Sequence, residues 1–167
     1  MYRESALFFP DKFYLDLGVD LARVAADLEA FLDHQQSVFG DLHYECTGDR
    51  QPQHHVKLRL PSGQLLKVLT FPARSEKNVN PDVQFGAVEN SFPSLDIGEY
   101  RASVLRRLGD LIKPGTQREH RFVKFSYDGL REPTARVRAV AAFEWLLCEL
   151  RCAGAAENAR QSVLGAA

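Results

Sequence analysis

His54–Leu60 alternates residue by residue, with Val56, Leu58 and Leu60 on one side and His55, Lys57 and Arg59 on the other. A period of two marks a strand with one face against a core and one toward water. Pro61-Ser62-Gly63-Gln64 follows, and proline presets φ while glycine tolerates a positive φ. Leu65–Phe71 then returns as the second arm of an antiparallel hairpin. A chain built on such a hairpin must cover one sheet face with a second layer.

Helical spacing supplies that layer. Leu21, Val24, Ala25, Leu28, Phe31 and Leu32 form one apolar stripe, opposite Arg23, Asp27, Glu29 and Asp33. Asp20 is placed to cap this helix and Gly40 to end it. Asp96-Ile97-Gly98-Glu99 resembles a capping box, and Ile97, Tyr100, Val104, Leu108, Leu111 and Ile112 give a second stripe stopped at Lys113-Pro114-Gly115. Pro133 suits the first turn of a last helix running to about Cys152. Its apolar residues are Val137, Val140, Ala141, Trp145, Leu146, Cys148 and Leu150, a face wide enough to be largely buried. Further strands are expected at Phe13–Leu17, after a packed arm holding Phe8 and Phe9, and at Leu42–Cys46, Val83–Val88 and His120–Tyr127.

The order β-α-β-β-β-(β)-α-β-α predicts an α+β fold. It is a mainly antiparallel sheet of four to six strands with three helices packed chiefly on one face, in a split β-α-β-like plan with insertions. The chain of 167 residues suits one domain, assigned to 1–154, with 155–167 as a flexible or helical tail. Its 45% hydrophobic and 26% charged residues are the balance of a globular protein.

Three cysteines, Cys46, Cys148 and Cys152, make no disulfide framework and fit a reducing compartment, with the thiols expected to behave as small buried hydrophobes. No stretch has the make-up of a signal peptide or a membrane span, so the expected location is the cytoplasm. Arginine in excess of lysine, with abundant alanine, fits a GC-rich bacterial source. The net charge is −1, but Arg101–Arg138 holds ten cations against four anions, leaving −7 for the rest of the chain. Such asymmetry points to an anionic partner or to pairing between the two halves.

Familiar catalytic signatures are missing. No glycine-rich phosphate loop and no G-x-S-x-G nucleophile elbow occurs, and Ser62 is explained by its turn. His43, Cys46, His54 and His55 are metal-ligand types, but residues three apart or adjacent on a strand face opposite sides. The same alternation argues against a nuclease site built on histidines two apart. Asp82 with Glu89, and Asp16 with Asp20, have no spacing that marks an acid–base pair. No cofactor or metal is expected.

The functional hint lies in the basic stretch. Phe122-Val123-Lys124-Phe125 matches the last four places of the sheet motif on which RRM domains stack bases, although Glu119 stands where that motif has glycine and the strand comes last. No family membership follows from it. Phe122 and Lys124 share a strand face, and joined to Lys57, Arg59 and Arg121 they would make a cationic surface, extended by Arg106 and Arg107 on the preceding helix. The long connection from Pro72 to Ser94 offers a different site, a loop presenting Lys77, Asn80, Phe85, Val88 and Phe92 to a protein partner. Two functions follow: first, a non-catalytic interaction protein (adaptor, inhibitor or assembly subunit); second, a nucleic-acid-binding module. An enzyme with an unfamiliar site around His43 and Cys46 ranks third.

Overall fold

Each strand pairs with its neighbours in sequence. The computed structural model describes residues 11–47, 53–72, 80–115 and 121–165, with side chains in the first helix from Arg23 onward. It begins with α1 (Asp11–Phe39), followed by β1 (Leu42–Thr47), β2 (Gln53–Arg59), β3 (Leu65–Pro72) and β4 (Asp82–Gln84). Then come α2 (Gly86–Ser91), α3 (Ile97–Leu108), β5 (Phe122–Lys124) and α4 (Pro133–Gly165). The sheet order is β1-β2-β3-β4-β5 and every pairing is antiparallel. The fold is α+β, as the alternation and the helical stripes require. Its topology is a meander rather than a split β-α-β, because no strand is inserted between two others.

Helices and sheet share one core. Val24, Leu28 and Leu32 of α1, Tyr100 and Val104 of α3, and Phe143, Leu147 and Leu150 of α4 cluster with Val56, Leu58, Leu69, Val83, Val123 and Phe125 of the sheet. Phe125 sits between Phe71 and Phe143, with ring centroids 6.3 and 5.3 Å away. One sheet face is therefore apolar and lies under the helices. The β2–β3 hairpin forms where the alternation places it.

Several expectations are corrected. Phe13–Leu17 is helix, not strand, and Asp20 lies inside α1 rather than capping it. Apolar positions 13, 17, 21, 24, 28 and 32 keep one helical spacing through Gly18, and a mid-helix glycine costs only about 1 kcal/mol. α3 is capped as expected, with the Asp96 carboxylate accepting from the Glu99 amide at 3.0 Å. It stops earlier than Lys113, at Gly109, whose φ of 54° leaves the helical region. Leu111 and Ile112 still reach the core, through a 3-10 turn at Gly109–Leu111. β5 covers only three residues of the expected His120–Tyr127 strand, and His120 lies outside the described residues.

α4 continues to Gly165, so residues 155–165 are helical. Its buried stripe is Ala135, Ala139, Ala142, Phe143, Leu146, Leu147, Leu150 and Gly154. Val137 is 70% exposed and Cys148 is also exposed, so the apolar face was placed partly off the true stripe. At Gly154 the helix closes on the hairpin turn, where a Cβ would meet Pro61 Cδ at 3.3 Å and Leu60 Cδ2 at 3.4 Å. Arg136 binds Asp27 at 2.8 Å, and Arg151 binds both carboxylate oxygens of Asp41, at 2.8 and 2.9 Å. Arg151 also donates to Gln35 Oε1 and lies 3.7 Å over the Phe39 ring. These contacts clamp α4 against α1 at two levels.

Candidate functional site

The sheet face opposite the helices carries polar residues in register. One row crosses all five strands: Glu45, His55, Thr70, Asp82 and Lys124. A second row holds His43, Lys57 and Lys67, and Arg59 follows on β2. Phe122 stands opposite Gln84 on the same face, with the Lys124 ammonium 5.8 Å from its ring centroid. A bulge produces this alignment. Val56 pairs with Leu69 but Lys57 pairs with Lys67, so β3 holds one extra residue at Val68. Thr70 and Lys67, three apart in sequence, are thereby set on one face.

The middle of the face is a closed hydrogen-bonded chain. His55 Nε2 bonds Thr47 Oγ1 at 2.9 Å and His55 Nδ1 bonds Thr70 Oγ1 at 3.2 Å. Thr70 also bonds Asp82, which accepts from the Gln84 amide. Burial holds the His55 ring below the usual imidazole range, with the Lys67 charge acting in the same sense. Burial pushes the Asp82 carboxyl up, against the bonds from Gln84 and Thr70. Both ring nitrogens of His55 are engaged by hydroxyls, and the residue is 5% exposed. The chain thereby satisfies the polar atoms of His55, Thr70 and Asp82 that the sheet buries.

Cations border this chain. Lys57 is half-buried and paired with Glu45 at 2.5 Å, a bond that holds the Glu45 carboxyl below its ordinary range. Arg59 is exposed at the end of β2, while Lys67, Lys124 and Phe122 are half-buried. The face thus offers four cations and an aromatic ring, against two carboxylates tied to lysines or buried. β2 and β5 are three inter-strand spacings, roughly 14 Å, apart across the sheet, with Lys57 two residues along its strand from the row of Lys124.

The expected sites are divided by this arrangement. Lys57, Arg59, Phe122 and Lys124 meet on one face. Arg121 does not join them; its side-chain stem lies over Gly86, at 3.5 Å from where a Cβ would stand, and its carbonyl accepts from Phe85 and Gly86. Arg106 and Arg107 lie on α3, in the helical layer, and line a cleft against α4. The partner-binding loop is also corrected. The 72–94 connection contains β4 and α2; Phe85 and Val88 are fully buried and Phe92 is 2% exposed. Phe85 and Phe92 flank α2 and Val88 lies within it, so all three turn into the core on which that short helix packs. Asn80 is half-exposed before β4, and Lys77 lies outside the described residues.

Two further expectations fail on burial. All three cysteines are exposed rather than core, with Cys148 and Cys152 one turn apart on α4. His55, expected on the water side of the strand with Lys57 and Arg59, is buried; His54 is buried too, and burial takes its ring down to about 4. Among the described residues no three His, Cys, Asp or Glu side chains converge as a metal site, and no helix is long and apolar enough to cross a membrane. Lys67 and the Thr47–His55–Thr70–Asp82 chain were not anticipated; the bulge hides the alternation of β3, where Val68, Leu69, Thr70 and Phe71 are buried in succession. No family model matches this chain, and no curated protein or solved structure is significantly similar to it.

Proposed function

We propose that this is a non-catalytic binding protein that engages single-stranded nucleic acid on the polar face of its sheet. The observation that carries the reading is the shared face of Lys57, Arg59, Lys67, Lys124 and Phe122. A sheet with cations that follow a phosphate backbone and an aromatic ring for a base is the usual arrangement for sequence-tolerant single-strand binding. The protein-partner alternative loses its proposed contacts, since Phe85 and Phe92 are core residues.

Fluorescence anisotropy with labelled single-stranded and duplex oligonucleotides, across a salt series, tests the reading. Tighter single-strand binding is expected, weakening steeply with salt. Joint replacement Lys57→Ala and Lys124→Ala lowers the salt slope by about 1.4, at ~0.7 per phosphate contact on a single strand. Phe122→Ala weakens binding by about 1–3 kcal/mol if its ring stacks on a base. Absence of binding at low salt rejects the proposal.

A further inference from the structure

The helical layer carries a second basic site, separate from the sheet face. A cleft of about 410 Å³ opens between α3 and α4, lined by Ser103, Arg106, Arg107, Arg138, Ala141 and Ala142. Its volume falls in the range of small-molecule sites. The two alanines leave space that larger side chains would fill.

The three guanidiniums are held in different ways. Arg106 Nη2 donates to Glu99 Oε1 at 2.9 Å and to Ser103 Oγ at 2.8 Å. Arg138 is paired with Asp110. Arg107 has no ion pair among the described residues; its guanidinium lies 4.4 Å over the Trp145 ring. Trp145 stacks on Tyr100 at 5.8 Å, and Tyr100 meets the Phe85 ring edge-on at 6.1 Å. Arg107 is thus the outer end of an aromatic column rooted in the core. The indole covers one side of the guanidinium, and no acceptor among the described residues holds its N–H groups, which a ligand can therefore use.

We infer that this cleft binds a phosphate group, free or as a small phosphate monoester. Three arginines against Glu99 and Asp110 leave one positive charge in excess, and the unpaired guanidinium is the preorganised one. Donors from two helices suit a tetrahedral anion with several terminal oxygens better than a planar carboxylate. Trp145 is the single tryptophan of the chain, so an anion drawing on Arg107 alters the only indole signal.

Titration of the full chain with inorganic phosphate, phenyl phosphate and benzoate, at constant ionic strength, tests the inference by tryptophan fluorescence and by calorimetry. A saturable response with a Kd of about 0.1–1 mM for at least one phosphate compound, and at least tenfold weaker benzoate binding, is expected. Tighter phenyl phosphate binding identifies an organic phosphate ester as the ligand class; the reverse order identifies free phosphate. Arg138→Ala, which leaves the Arg107–Trp145 stack in place, should weaken binding at least tenfold. Arg107→Lys, which keeps the charge but not the planar fork, should do the same by calorimetry. A non-saturating response equal to that of sodium chloride, or unchanged binding in both variants, overturns the inference. Lys57→Ala with Lys124→Ala leaves phosphate binding intact, so failure of this site and failure of the sheet face are told apart.

Discussion

Phe85 and Phe92 show how residue type alone can mislead. Aromatics in a proline- and glycine-containing connection have the composition of a docking loop, yet both are packed inside. Phe85 touches Tyr100 edge-on and carries the Arg101 guanidinium 5.7 Å from its ring. Phe85→Ala or Phe92→Ala should therefore cost about 3–5 kcal/mol of stability, read by urea melts. A loss under 1 kcal/mol would return these residues to the surface. The same lesson applies to His54 and His55. Hydropathy assigns histidines to water, but cross-strand hydroxyls from Thr47 and Thr70 meet both nitrogens of His55, and no local sequence signal announces partners eight and fifteen residues away.

Elements were more legible than their ends. The hairpin, the stripe of α3, its Asp96 cap and the Pro133 start of α4 all follow from local chemistry. Boundaries were less legible: α1 begins at Asp11, through a segment that reads as a strand, and α4 runs on past Cys152 through the largely exposed, alanine-rich 155–165, where helix propensity rather than packing carries the last turns. The cleft between α3 and α4 left no trace in the sequence, because Arg107 and Arg138 become neighbours only through packing. What joins α1 to α4 is equally non-local. Arg151 bonds Asp41 with two nitrogens and Gln35 with the third, at side-chain exposures of 17% and 22% for Arg151 and Asp41. Arg151→Ala should destabilise the protein by about 2 kcal/mol, since it strands a half-buried carboxylate and removes the guanidinium from Phe39. Thermal melting of that variant, with Asp41→Asn and the double replacement, would measure the coupling; fully additive losses would show that the pair contributes nothing of its own.

At the scale of the molecule, buried histidines make stability depend on pH. The unfolded chain protonates His54 near pH 6.5, whereas the folded chain refuses the proton until about 4. Between those values the unfolded state binds more protons, so stability falls as pH falls, by on the order of 2 kcal/mol after allowance for partial solvent access. His55, shifted in the same direction, adds to the loss. Asp82, shifted upward, takes its proton earlier in the folded state and so opposes the trend at the acid end. Urea midpoints at pH 7.5 and 5 should differ in this sense, and His54→Leu should flatten the difference. An unchanged difference in that variant would assign the effect elsewhere.

The meander has a kinetic consequence. No strand must wait for a distant partner to be threaded beside it, so the ribbon can lengthen one hairpin at a time from β2–β3, a route with little loop entropy to overcome. The exception is β5, which reaches β4 only after α2, α3 and the 3-10 turn have been laid down between them. This final three-residue strip bears Phe122 and Lys124. Fraying at that margin would displace Phe122 and Lys124, two of the five residues of the proposed platform, while the central hairpin stayed intact.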